Sequence, residues 1–460
     1  MAHTKTRTAN QSNEVDMTHG PLAGKIIRFA LPLAASSMLQ QMFNAADLAV
    51  VGRFASAQAM AAVGSNASVI NLLISIFVGL SVGATVLIAS QIGAGNRKGI
   101  SDAVHTVITL AFVLGIFLTA AGILLASPIL RLMGAPDNVI RLAVLYLRIY
   151  FTGMPVILLY NYGSAVLRSR GDSIRPFYAL VAAGVLNVVL NLFFVAVLHL
   201  HVIGVALATV LSNCLSGGLI LLFLLRESDE FRLDLRKLRI RKDYALSVFR
   251  IGVPAGIQGA VFSLSNVVIQ SAVNSFGADC IAGMTAAWNF DSISFCLLNS
   301  FTQAAVTFTS QNYGAGDQKR CGRVYRLCLG IGLAMDIVLV ILMQIFRMPL
   351  LHLFTTDEAV ISYALVRLTY SFRFHFMCGT YEIPGGALRG LNRGLVPALI
   401  SMLGTCAFRL IYVFLIFPSH RTPEALMLVY PLSWVLTCIA MNTAYFIVYR
   451  RAFAHMKPAA

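Results

Sequence analysis

The feature that most limits what this chain can fold into is a succession of apolar runs, each about 20 residues or longer, separated by turn residues and charges. A run of that length is what an α-helix needs to cross about 30 Å of hydrocarbon. Twelve runs are present, at approximately 26–51, 59–90, 102–126, 139–160, 176–198, 202–225, 247–275, 280–311, 323–346, 360–383, 396–417 and 424–449. A spanning segment must satisfy its own backbone hydrogen bonds in lipid, so the runs predict helices. Only 12% of the 460 residues are charged, about half the roughly 25% of a soluble domain. The chain lacks the polar surface to face water all round.

The formal net charge of +16 does not predict a nucleic-acid partner, because the basic residues punctuate the ends of the apolar runs. Lys25 and Arg28, Arg97 and Lys98, Arg168, Arg170 and Arg175, the stretch 226–243, Lys319 and Arg320, Arg389 and Arg393, and the tail Arg450, Arg451 and Lys457 fall on one side, with Lys5 and Arg7. The opposite loops hold Arg53, Arg131, Arg141, Arg347 and Arg421. Basic loops stay cytoplasmic, which puts both termini inside. The first 24 residues are polar and hold no short apolar core or cleavage site, so the first span is expected to direct insertion. Eight cysteines without a CxxC pair, mostly within apolar runs, read as small packing residues.

Shifting the chain by about 221 residues lays it on itself. QIGAGNRK (91–98) meets QNYGAGDQK (311–319), and LRSRGDSIRP (167–176) meets LRGLNRGLVP (388–397). Pro32 falls near Pro254 and Asn44 near Asn266. The expected organisation is a tail (1–24), a six-helix lobe (25–225), a polar linker (226–246), a second six-helix lobe (247–449) and a short tail (450–460). Six spans per half make the halves parallel repeats, the architecture of a carrier that opens to one side and then the other. The fold class is thus an all-α membrane protein of twelve spans in two parallel six-helix repeats.

These residues resemble the multidrug and toxic compound extrusion (MATE) family. The twin GAG motifs (QIGAG at 91–95 and QNYGAG at 311–316), QQMFNAAD (40–47), NYGSAVLRSRGD (161–172), NVVLN (187–191), GVALAT (204–209) and Arg409 carry the resemblance, which covers roughly residues 20–450. It implies export of amphipathic, often cationic organic compounds coupled to Na⁺ or H⁺ entry, in a bacterial-type inner membrane, by a protein expected to act as a monomer. No cofactor beyond the coupling ion is implied, and no catalytic or metal site.

Asp47 lies about 20 residues into the first span. A carboxylate removed from water carries a desolvation penalty that a bound proton or cation relieves, which is what ion coupling requires. Asn187 and Asn191 are four apart, on one face of the fifth span. The resemblance adds Asn161 and Thr209 to this cation-coupling group, and Gln41 and Asn44 to candidates for substrate contact or gating. Many bacterial members carry an acid where this chain has Asn191, and losing that charge tilts the coupling ion toward H⁺. At the 221–222 offset Asp47 becomes Ile269, Asn187 becomes Phe408 and Asn191 becomes Tyr412. The second half has Asp291, Glu382 and Arg409 instead, equally consistent with one neutralised structural network and with substrate contact. Asp336, Arg373 and His375 also lie within apolar runs; for His375 hydrogen-bonded packing is expected rather than a proton relay, and the sequence gives no account of Asp336. Pro32, Pro155, Pro254 and Pro384 mark possible kinks. Two other functions remain: a flippase for lipid-linked precursors, of the same superfamily, and a membrane-embedded enzyme. HExxH and Walker sequences are absent, which argues against a zinc-dependent enzyme and against a fused ATPase.

Overall fold

A computed structural model describes residues 14–54, 57–132 and 137–454. Residues 1–13 and 455–460 of the two tails, with Lys5, Arg7 and Lys457, lie outside that set. The described residues are helical with no strand. The helices are α1 (Ala23–Phe54), α2 (Ala57–Gly93), α3 (Arg97–Leu132), α4 (Asp137–Thr152), α5 (Met154–Arg170), α6 (Ile174–Asn191) and α7 (His201–Leu225). The second half continues with α8 (Lys242–Asn274), α9 (Ala278–Gly314), α10 (Gln318–Ile345), α11 (Arg347–His352), α12 (Glu358–Tyr370) and α13 (Phe376–Gly390). It closes with α14 (Leu395–Ser401), α15 (Phe408–Ile411) and α16 (Pro423–Phe453).

Among the described residues, eight segments are singly long and apolar enough to cross a bilayer, and α4 with α5 makes a ninth span bent by 48°. The bend falls at Gly153, and Pro155 stands in the first turn of α5. Three further spans complete twelve: α1 with 32 residues, α9 with 37, and the pair α12–α13. These three are less apolar because they carry the polar residues of the candidate sites. The tenth span, expected to run unbroken over 360–383, is divided by a tight turn at Phe372–Phe374. Spans five and eleven hold π-helical turns, at Leu192–Val197, Met402–Ala407 and Tyr412–Ile416.

The repeat is visible in single backbone angles. Gly95 and Gly316 adopt left-handed φ of 64° and 74°, and Gly171 and Asn392 adopt 101° and 64°. Both pairs are 221 apart. The GAG motif is thus a helix stop whose glycine takes a conformation that costs other residues a steric penalty. The following residue caps the next helix: Asn96 Oδ1 accepts from the Gly99 amide at 3.0 Å, and Asp317 Oδ1 from the Arg320 amide at 2.8 Å. Helix neighbours also recur, with α2 on α3, α4 and α5 in the first half and α9 on α10, α12 and α13 in the second.

The chain divides into two compact units, residues 1–16 with 35–252, and 17–34 with 253–460. In the first, the foot of α5 is tied by charge. Arg170 pairs with Glu14 at 2.9 Å and Glu227 at 2.5 Å, while Arg175 pairs with Asp172 and Glu227. The stretch after α7 is not merely solvated. Phe231 and Leu233 are buried, Arg239 and Arg241 pair with Asp102, and His105 Nε2 accepts from the Asp234 amide at 3.1 Å.

Candidate coupling and substrate sites

In the first unit, α1 carries Asp47 and α6 carries Asn187 and Asn191. The i, i+4 spacing on α6 places both amides on one face. Asn191 Nδ2 donates to Asp47 Oδ1 at 2.5 Å and to Asn187 Oδ1 at 3.2 Å. Asn187 and Asn191 are 6% and 1% exposed, and Asp47 is partly buried. Asn191 Oδ1 is buried and accepts no hydrogen bond. A free amide oxygen beside a carboxylate is a donor set suited to a proton or a small hard cation. Below it Tyr146, Val195, Val202, Val205 and Ala206 form an apolar cluster with Val50 packed on it, one turn from Asp47. That packing excludes water from one side of the carboxylate.

Asp47 differs from the other buried acids of this unit. Asp102, Asp172 and Glu227 each pair with at least one arginine. Asp47 has no cationic partner among the described residues. Asn161 and Thr209 do not join it by hydrogen bonds: Asn161 Nδ2 donates to the Ile157 carbonyl and Thr209 Oγ1 to the Val205 carbonyl, both at 2.9 Å and both within their own helices. Gln41 and Asn44 are exposed on α1.

In the second unit Asp291, Glu382 and Arg409, for which the sequence left open one neutralised network or substrate contact, have different partners. Asp291 Oδ2 accepts from Arg367 Nε at 2.6 Å, and both residues are buried. Glu382, on α13, forms no ion pair within 4 Å among the described residues. Arg409, 1% exposed, uses neutral partners: Nε donates to Ser433 Oγ at 3.2 Å and Nη1 to Asn266 Oδ1 at 3.5 Å. Tyr430 joins the two arginines, with Arg409 4.5 Å and Arg367 5.1 Å from its ring centroid. Phe262 and Trp288 add a second ring to each. A guanidinium over an aromatic face recovers part of the solvation lost on burial.

Sequence reasoning overlooked Arg367. Its signal was a charge inside the run 360–383, the same signal that singled out Arg373. Asp336 gains a physical account: fully buried on α10, it accepts from Ser294 of α9, and its Oδ2 lies 3.5 Å from His375 Nδ1.

The comparisons with known proteins agree with this architecture. A MatE family model matches twice, at residues 32–193 and 254–415, one match per half and 222 residues apart. The chain is 30% identical over 433 residues to the "Probable multidrug resistance protein YoeA" of Bacillus subtilis, covering 92% of this chain and 93% of that protein. It is 26% identical to the "FAD transporter" of Shewanella oneidensis, over 75% of this chain and 78% of the relative. Its fold matches the solved outward-facing conformation of a multidrug resistance MATE family transporter, with TM-score 0.86, 23% identity, and 97% and 99% of the two chains covered. The chain is therefore a multi-pass membrane protein of the MatE family, the multidrug and toxic compound extrusion transporters.

Proposed function

We propose that the protein is a cation-coupled antiporter that exports amphipathic organic compounds across a bacterial-type inner membrane by alternating access, with both termini cytoplasmic. The observation that carries this reading is Asp47: a partly buried carboxylate bonded to Asn191 and, among the described residues, not neutralised by any arginine or lysine. An ion-coupled carrier needs a charge whose neutralisation comes from the transported ion, and a structural carboxylate needs the reverse. Asn187 and Asn191 supply neutral oxygens and no second negative charge, which favours H⁺ over Na⁺. The multidrug names of relatives support organic cargo. Transport of a fluorescent cationic dye into proteoliposomes, with pH and Na⁺ gradients imposed separately, tests the reading. Dye movement driven by the pH gradient alone is the expected result, and movement indifferent to both gradients would refute coupling.

A second reading of the cargo rests on Arg409. Its guanidinium has no carboxylate partner among the described residues, so its charge is available to an acidic group on a substrate. A relative named for FAD, an anionic dinucleotide, is consistent with this reading. Competition of the dye by an anionic amphiphile of similar size separates the two readings.

A further inference from the structure

Two arginines in the second unit have no place in the coupling or cargo sites. Arg347 opens α11 and Arg373 sits in the turn that divides the tenth span. Neither makes an ion pair or hydrogen bond among the described residues, in contrast to Arg367, which holds Asp291. Both line one groove of about 650 Å³ beside α10, within the ~300–1,000 Å³ of small-molecule sites. The remaining wall is apolar except for Gln344, whose Nε2 donates to the Leu368 carbonyl at 2.6 Å. Ile337, Ile341 and Ile345 recur every four residues along one face of α10, and Phe376 of α13 also lines the groove. The three isoleucines are 38%, 52% and 67% exposed.

An unpaired guanidinium beside hydrocarbon is costly and draws a counter-ion or a path to water. The protein supplies no carboxylate here. What surrounds a spanning helix is lipid, whose anionic members join a phosphate to long apolar chains. Arginine matches phosphate oxygens with paired N–H donors. We propose that this groove binds an anionic glycerophospholipid, with an acyl chain along the isoleucine stripe of α10 and the headgroup phosphate on Arg347 and Arg373. The inference is independent of the ion and cargo assigned above.

The test uses the full chain in uncharged detergent, with phosphatidylglycerol, phosphatidylcholine of the same acyl chains, and inorganic phosphate as probes. Native mass spectrometry reads the lipid retained, and thermal unfolding reads stabilisation. Wild type is expected to retain phosphatidylglycerol about tenfold more tightly than phosphatidylcholine. Arg347→Gln/Arg373→Gln should abolish that preference. Ile341→Trp, at an exposed position that disturbs no core, should weaken retention of both lipids by filling the groove. Equal retention of the two lipids by wild type, meaning nonspecific annular lipid only, would overturn the proposal. So would a preference that survives in the double variant, or stabilisation by inorganic phosphate equal to that by phosphatidylglycerol.

Discussion

Replacing Asp47 with asparagine separates the coupling role from a structural one, because the two roles predict opposite pairs of effects. Asparagine keeps the shape of the side chain and an oxygen that can accept from Asn191 Nδ2, now 2.5 Å from the carboxylate. A hydrogen bond to a charged group contributes about 1.5–3 kcal/mol and a neutral one about 0.5–1.5, so the exchange loses about 1 kcal/mol. Removing the charge also removes its desolvation penalty, which acts in the other direction. The net change in stability is thus within about 1 kcal/mol, or about 2 °C in Tm for a chain of this size. Transport should respond quite differently. One pH unit supplies about 1.4 kcal/mol per proton, enough for a tenfold concentration ratio of substrate at one proton per molecule. Without a titratable group the variant should reach a ratio near one. Dye accumulation in proteoliposomes under an imposed pH gradient, with thermal unfolding of the same preparation, measures both quantities. A variant that accumulates dye like wild type would show that Asp47 is structural. A loss of more than about 3 kcal/mol in stability would point the same way. Accumulation by wild type that follows Na⁺ at fixed pH would keep the carboxylate role and refute the proton preference.

Two further outcomes test the packing of the second unit. Asp291→Asn leaves Arg367 buried without its counter-charge and should cost about 3–5 kcal/mol in thermal or denaturant unfolding, most of it recovered when Arg367→Met is added. A double variant no more stable than the single one would refute the pairing argument. Gly283→Ala should cost about 1–3 kcal/mol, because a Cβ there would collide with the Val360 carbonyl oxygen and stand 2.8 Å from the Ala364 amide nitrogen. Both obstacles are backbone and cannot rotate away, so an unchanged Tm would mean that α9 and α12 are less closely apposed than described.

The repeat and the spans were legible because they rest on local signals. A GAG stop followed by a capping Asn or Asp is read within eight residues, and its left-handed glycines then appear 221 residues apart as the offset requires. Asp47, Asn187 and Asn191 were legible as a group because each is a polar residue in an apolar run and two share a helix face. Their direct bonding was not, since Asp47 and Asn191 are 144 residues apart and either could have turned to its own backbone, as Asn161 and Thr209 do. The partner of Asp291 was not legible for a similar reason. Arg367, Arg373 and Arg409 all carry positive charge within spans, and only packing decides which meets the carboxylate. The break in the tenth span was hidden too. No proline marks it, and Phe372, Phe374 and Phe376 keep the run apolar through the turn.

The buried pair of Asp291 and Arg367 also constrains the order in which the membrane protein is made. Its members lie 76 residues apart, on α9 and α12, with α10 and α11 between them. A ribosome adding about 5–20 residues per second needs roughly 4–15 s to deliver the arginine after the aspartate. Through that interval the eighth span has to enter or wait at the bilayer with an acid whose counter-charge does not yet exist. The carboxylate must stay protonated, remain near water, or be sheltered until the tenth span arrives. A charge pair that is silent in the finished fold is thus a step at which insertion of the second half is exposed to failure.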